Sequence, residues 1–297
     1  MAKRPAPPYL KINGDTRAAS LDTTSLFGST SEENSISPID IFIKKNKYYL
    51  IKLGALERDH LIDPSNIEDI DIYNLFLLGL VSNVESYYRR AIRKVILIDE
   101  RSYNSSMEEQ LTYAAALHHN VDLLPEALLE GCSFISYENI KNTVNTYINI
   151  GVNKQKPEQR ELIQCLEMFE QLCHLRHCIV HRAGLLGSKN AIKLGIDKHK
   201  SFFEKPIILN LSFLQEASFI CLNSVKTFND FAFNSLIHRY IDDNKSEISW
   251  DYRRDKVWFL KYYKLFESVE INNDLKSLSV KTHTSKQVYD ELREYYA

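Results

Sequence analysis

Residues 161–182, ELIQCLEMFEQLCHLRHCIVHR, decide the fold that this sequence predicts. Apolar side chains recur there every three or four positions, the period of an α-helix with one face turned to a core. They are Leu162, Cys165, Leu166, Phe169, Leu172, Cys173, Ile179 and Val180. Pro157 precedes the stretch and Gly184 follows it, as expected at a helix start and a helix end. We therefore predict one long amphipathic helix.

The same periodicity extends on both sides of this stretch. It predicts a long helix over residues 68–95, helices near 106–117, 123–129 and 136–151, and a fourth long one over 212–231. Two capping boxes, Ser106 with Glu109 and Ser212 with Gln215, are predicted to start two of these helices. With only 9 Gly and 8 Pro in 297 residues, the chain is poor in turn residues, which favours long helices over many short strands. The predicted fold class is all-α, a helical bundle.

Composition shifts divide the chain into four predicted parts. Residues 1–35 are rich in Ser, Thr, Pro and Gly, and predict a mobile N-terminal arm. Apolar residues alternate between Ile39 and Leu53 around a KKNK stretch, so 36–67 is predicted to hold a small β-hairpin or a linker. Residues 68–243 form the main helical domain. Residues 244–297, rich in Trp and Tyr, are predicted to be a C-terminal helical appendage with a last helix over 285–296.

The overall charge and hydropathy narrow the protein class. The net charge is −2, so any nucleic-acid site must be a local basic patch, not a uniformly basic domain. The longest strongly apolar run, residues 75–81, is too short to span a bilayer, and the basic start lacks the apolar stretch of a signal peptide. Five cysteines fall mostly on apolar helix faces, as reduced core thiols do. We expect a soluble cytoplasmic protein without a membrane partner.

Arg176 occupies a core-facing position on the apolar stripe of the predicted helix. Arginine is almost never fully buried without a partner, so this guanidinium needs a carboxylate, a polar cleft or a bound anion. One interpretation is a buried salt bridge, with Glu85 or Glu167 as the acid. The other is a functional site.

His181 follows five residues later, near the end of the same helix, and His177 lies one turn before it. Histidine is the side chain whose ordinary pKa lies near neutrality, which suits proton transfer. An Arg-x4-His string arises often by chance, but this one ends a long amphipathic helix and runs into a basic segment. His177 is predicted to orient His181 or to contact a ligand, with a plain surface role as the alternative.

Residues 68–240 resemble the HEPN superfamily, and three stretches within them carry the resemblance. LRHCIVHRAG, residues 175–184, is similar to its R-x4-6-H signature, with a polar residue after the arginine. LLGLVSNVESYYRRAIRK, residues 77–94, resembles the first long HEPN helix, here with Glu85 followed by Arg89 and Arg90. ISYENIKNTVNTYINIG, residues 135–151, resembles the stretch before the catalytic helix in stand-alone bacterial members.

The resemblance implies a HEPN-like bundle that forms a homodimer and cleaves RNA without a metal or other cofactor. It implies that two Arg-x4-His motifs meet in one composite site, where the ribose 2′-OH attacks the adjacent phosphate. His181 would then be the acid or base, and Arg176 would stabilise the charged phosphate. The resemblance further implies a bacterial defence or toxin role, with an antitoxin or regulatory partner.

Further residues around the motif receive supporting predictions. Phosphate contacts are predicted for Arg89, Arg90, Arg182 and Lys189, with a solvated surface as the alternative. Glu85 is predicted to support the site by neutralising an arginine.

A rival interpretation of the motif helix is a metal site. His174, His177 and His181 fall at i, i+3 and i+7, a spacing that can bind zinc, but the window holds no HExxH-type base, so no metal is predicted. The rival interpretation of the function is a catalytically silent HEPN-like module that binds RNA, a nucleotide or a protein.

Overall fold

The computed structural model describes residues 9–10, 12–14, 17–28 and 36–297. The chain divides into two units, Met1–Ser35 and Ile36–Ala297. In the first unit, one short 3-10 turn, Thr24–Leu26, is held by the Asp22 carboxylate, which accepts from the Thr24 amide at 2.9 Å. Much of the predicted mobile arm lies outside the described residues, so that prediction stays a prediction.

The second unit is helical throughout, which confirms the predicted all-α class. The described residues contain no strand, and a lone bridge pairs Leu185 with Pro206. In chain order the helices are α1 Pro38–Arg58, α2 Ile70–Ile98, α3 Glu100–Ser106, α4 Tyr113–His118, α5 Leu124–Leu129, α6 Tyr137–Tyr147, α7 Arg160–Arg182, α8 Ser188–His199, α9 Leu211–Asp243, α10 Tyr252–Phe266, α11 Val269–Ser277 and α12 Ser285–Tyr296.

The core forms where α1, α2, α7 and α9 pack together. Tyr88 on α2 lies at its centre, with its ring centroid 4.7 Å from that of Phe228 on α9. Its neighbour Tyr87 is also buried and donates its hydroxyl to Asn229 Oδ1 at 3.1 Å. Large aromatic rings supply much of the buried apolar area, and the hydroxyl bond removes the cost of burying a polar group.

The predicted motif helix is present as α7, preceded by a 3-10 turn at Pro157–Gln159. It ends because Ala183 and Gly184 both take left-handed backbone angles, with φ of 49° and 79°. The Gly184 amide then donates to the Cys178 carbonyl at 3.2 Å, which satisfies one of the last carbonyls of the helix. The end of α7 is therefore fixed within one turn of His181.

The predicted β-hairpin at the start of the second unit is wrong, because residues 38–58 form the single helix α1. Ile39, Phe42, Ile43 and Leu53 are buried at helical spacing, and the KKNK stretch lies in the middle of the helix. Ser37 caps the start, accepting from the Asp40 amide at 3.3 Å. A short alternation of isoleucines fits both periods, and packing against α2 and α9 selects the helix.

Both capping-box predictions misplace a helix start. Ser106 ends α3 instead of starting a helix, because its hydroxyl donates to the Ser102 carbonyl at 2.8 Å. The next helix, α4, is capped by Thr112, and α9 is capped by Asn210, two residues before Ser212. A capping residue must itself have extended backbone angles, whereas Ser106 and Ser212 both lie within helices. Sequence spacing alone does not decide which residue takes those angles.

Residues 36–297 form one compact unit, which spans the predicted boundaries at residues 67/68 and 243/244. In the C-terminal part, α10 packs on α9, α2 and α1. Phe259 and Tyr262 are buried in the common core, and Tyr262 donates to Asp99 Oδ1 at 3.0 Å. In the described part of the chain, we find no helix with the length and apolarity to cross a membrane.

Candidate functional site

The last turns of α7 carry two histidine rings in contact. The ring centroids of His177 and His181 are 4.6 Å apart, with the planes inclined by 48°. Both side chains are exposed, so a ligand in solvent can reach them. The i and i+4 spacing on one helical face produces this contact.

Three groups that carry or can carry positive charge act on His177. Partial burial lowers the pKa of His177 below its usual 6.5, and His181, Arg176 and Lys189 lower it further. Protonation would add a like charge beside these groups, which is why it is disfavoured. The neutral imidazole that results at pH 7 has a free lone pair and can accept a proton.

Arg176 is half-buried and lies on the α2 side of α7, near Glu85. Burial raises the pKa of Glu85, and the charges of Arg176 and Arg89 partly oppose that rise. The charge of Arg176 thus acts on Glu85, yet no ion pair joins Arg176 to any residue that the structure describes. The other proposed acid, Glu167, pairs with Lys154 at 2.6 Å instead.

The tight buried salt bridge considered for Arg176 is therefore not observed among the described residues. The guanidinium keeps its hydrogen-bond donors available for another acceptor. No contact joins Arg176 directly to His181 in the part of the chain that the structure describes, although Arg176 acts on His177 between them.

The two arginines predicted on α2 make bonds within the protein. Arg89 donates to the carbonyls of Leu129 and Cys132, the latter at 3.1 Å, and lies 5.6 Å from the Phe134 ring centroid. Arg90 donates to Ser86 Oγ at 2.5 Å. The Arg89 contacts favour a role in joining α2 to the α5 region over a role in binding phosphate, whereas the Arg90 bond lies within α2.

Arg182 and Lys189 lie beyond the histidine pair, near the solvent. Arg182 forms an ion pair with Glu204, and its guanidinium crosses so close to Gly187 that a Cβ there would meet Nε at 2.6 Å. Lys189 is exposed at the start of α8, and its charge acts on His177. Of the four predicted phosphate contacts, Lys189 is the one that the fold brings to His177 from another helix.

A cavity of about 500 Å³ opens beside the pair, between α7, α8 and the start of α6. His174 and His177 line it from α7, and Lys189 and Lys193 line it from α8. His174 is held near Glu170, with Nε2 3.8 Å from Oε1. Burial lowers the pKa of His174, and Lys193 and His177 add to this effect while Glu170 opposes it.

The three histidines do not converge on a point. Among the described residues, no group of three or more His, Cys, Asp or Glu side chains is placed to hold a metal ion. The cysteines next to them are free, and burial raises the pKa of the Cys173 thiol. The prediction of a metal-free site stays a prediction that only a metal measurement tests.

Sequence reasoning missed the cavity walls contributed by other elements. Asn139 comes from the first turn of α6 and Ile135 from the segment just before it, and Asn190 and Ile192 come from α8. No local pattern marks these residues, because three separate helices must pack before they meet. Comparisons with protein-family models, curated proteins and solved structures found no match.

Proposed function

We propose that this protein is a metal-independent endoribonuclease of the HEPN type, with Arg176 and His181 as its catalytic pair. The observation that carries the proposal is the contact between His177 and His181 at the exposed end of α7. Beside that contact, Arg176 and Lys189 supply positive charge without a tight carboxylate partner. Proton transfer and phosphate charge stabilisation are the two tasks that RNA cleavage requires.

The proposed reaction balances without a co-reactant. The ribose 2′-OH gives its proton to a neutral histidine, and its oxygen attacks the adjacent phosphorus. The bond from phosphorus to the 5′-oxygen breaks, and that oxygen takes a proton from a histidine that entered protonated. The products are a 2′,3′-cyclic phosphate and a 5′-OH. Arg176 stabilises the phosphate oxygens as their negative charge increases.

His177 contributes to this scheme by orienting His181 or by contacting RNA. It also suits the role of proton acceptor, because partial burial and the neighbouring positive charges lower its pKa. His181 then acts as the group that exchanges the second proton. Arg182 and Lys189 guide the RNA backbone toward the pair.

We propose further that the active form is a homodimer in which two α7 helices face each other across a two-fold axis. The half-burial of Arg176 without a close ion-pair partner supports this, because a phosphate held in a polar cleft between subunits would pair with it. A cytoplasmic role in bacterial defence or in a toxin pair, with an antitoxin or regulator, completes the proposal.

A catalytically silent module that binds RNA, a nucleotide or a protein is the second candidate. The proximity of Arg176 to Glu85 favours it, since that pair would then stabilise the packing of α2 on α7. In this case the histidines bind a ligand and transfer no proton.

One experiment separates the two candidates. The purified chain is incubated with total RNA in the presence of EDTA, and the new ends are mapped. The enzyme proposal expects cleavage that leaves 2′,3′-cyclic phosphate and 5′-OH ends, and that His181→Ala removes. Intact RNA under these conditions, or cleavage that His181→Ala leaves unchanged, would refute it.

A further inference from the structure

The cavity beside the histidine pair has two kinds of wall. Ile135, two residues before α6, and Ile192 on α8 supply an apolar surface. Lys189 and Lys193 lie one turn apart on α8 and both line the cavity. A planar apolar group and an anion can therefore bind side by side within it.

The acidic group beside His174, Glu170, already has partners. Glu170 accepts a hydrogen bond from the Tyr137 amide at 3.0 Å and lies 3.8 Å from His174. The lysines on α8 are exposed, so their charge is available to a ligand. The rim near His177 is thus cationic.

Two amide side chains add hydrogen-bonding groups. Asn190 is buried, and its Nδ2 contacts Cys178 Sγ at 3.1 Å. Asn139, in the first turn of α6, lines the cavity across from α8. Its backbone amide donates a hydrogen bond to Ser136 Oγ at 3.2 Å. Few polar groups in a largely apolar cavity are typical of sites that orient one small ligand.

We propose that this cavity binds one nucleotide of the RNA strand, next to the bond that is cleaved. The base lies against Ile135 and Ile192, and a phosphate lies between Lys189 and Lys193. A cavity volume of about 500 Å³ is within the range that holds a ligand of this size. The inference rests on the proposed function, because the neighbouring histidine pair is what makes RNA the expected ligand.

An acidic peptide would fit the same charges, and the test distinguishes it. The probe is a fluorescein-labelled hexanucleotide of mixed sequence in which every sugar is 2′-deoxy, so that no 2′-OH is present and it cannot be cleaved. Binding to the full chain is measured by anisotropy. A labelled Glu-rich hexapeptide is titrated in parallel, and binding of the peptide in preference to the nucleotide would overturn the proposal.

Variants of α8 locate the binding. Lys193→Ala is expected to raise the Kd of the deoxy probe about tenfold, the effect of one charge-assisted phosphate bond. Ile192→Asp is expected to weaken binding at least as much, because it puts a charge where the base packs. Lys198→Ala and Ile196→Asp are matched controls in the last turn of α8, beyond the kink at Gly195 and outside the cavity. Thermal melting checks that every variant folds.

The outcomes keep the two proposals apart. Binding that depends on Lys193, in a protein that leaves RNA intact, supports the nucleotide site and refutes the enzyme. RNA cleavage whose KM is unchanged in Lys193→Ala and Ile192→Asp supports the enzyme and refutes this site. Absence of probe binding to the unaltered chain, or equal effects of the cavity variants and their controls, also refutes this site.

Discussion

His177 and His181 lie in ring contact, one turn apart on α7, with centroids separated by 4.6 Å. Two imidazolium ions at this distance repel each other, so protonation of one disfavours protonation of the other. A positive charge on His181 therefore lowers the pKa of His177, as do Arg176 and Lys189. Acid–base cleavage of RNA requires a proton acceptor and a proton donor together, and two adjacent imidazoles are the side chains suited to both tasks.

Arg176→Ala and His181→Ala are each expected to abolish RNA cleavage, with a loss of at least about a hundredfold. The fold and oligomeric state should be retained, because His181 is exposed and Arg176 has no close ion-pair partner within the described chain. Cleavage rates, circular dichroism and light scattering measure these effects. His283→Ala and Arg254→Ala, at exposed positions on other elements, are the matched controls. Cleavage that survives both substitutions would remove the pair from the site.

The acid limb of the pH–rate profile is expected to have its midpoint below 6.5, because the pKa of His177 is lowered. On this limb activity should increase as pH rises through that pKa, because protonation of His177 blocks the acceptor. Lys189→Ala removes one positive neighbour, so it should raise the pKa of His177 and move the limb to higher pH. Lys198→Ala should leave it in place. NMR titration of the imidazole protons gives the pKa directly, and a value above 6.5 would contradict the assignment.

Glu85→Gln is expected to raise the free energy of unfolding at pH 7. The pKa of Glu85 is raised in the folded state above its unfolded value near 4.5. Protonated Glu85 therefore stabilises the fold below the unfolded pKa, and this stabilisation is lost as pH rises through the folded pKa. The gain should vanish near pH 4. Urea unfolding at both pH values measures it. Glu167→Gln, in a half-exposed pair with Lys154, should change little. A marked destabilisation by Glu85→Gln would instead reveal a structural pair with Arg176.

Arg89→Ala is expected to lower the free energy of unfolding by about 2–3 kcal/mol, because a charged donor to two carbonyls is lost. RNA affinity and its salt dependence should stay unchanged. Arg101→Ala, in an exposed pair with Asp243, should cost less than about 1 kcal/mol. A stable Arg89→Ala variant with weakened RNA binding would restore the phosphate-contact prediction.

A mixed dimer of one unaltered chain and one His181→Ala chain tests the composite cleft. Two differently tagged chains are co-expressed, and the heterodimer is purified through both tags. A shared site predicts much less than half of the normal activity, since both motifs serve one reaction. Two independent sites would retain about half, and a chain that is monomeric in solution would refute the shared cleft.

Local patterns predicted well where burial follows one clear period. The apolar stripe of α7 and its Gly184 stop were read from the sequence, as was the helix Ser285–Tyr296. They failed where one pattern fits two structures. The isoleucines of α1 alternate like a strand and also recur like a helix, and only the packing partner distinguishes the two.

The sequence by itself determined the helical class, the motif helix and the residues offered for proton transfer, because these depend on neighbours within a turn or two. The tertiary structure alone decided what surrounds them. It placed Lys189 beside His177, left Arg176 near Glu85 without a tight bond, and joined α6, α7 and α8 around a cavity. Such relationships depend on contacts between residues distant in the chain, whose free energy is set by packing and desolvation and carries no local signature.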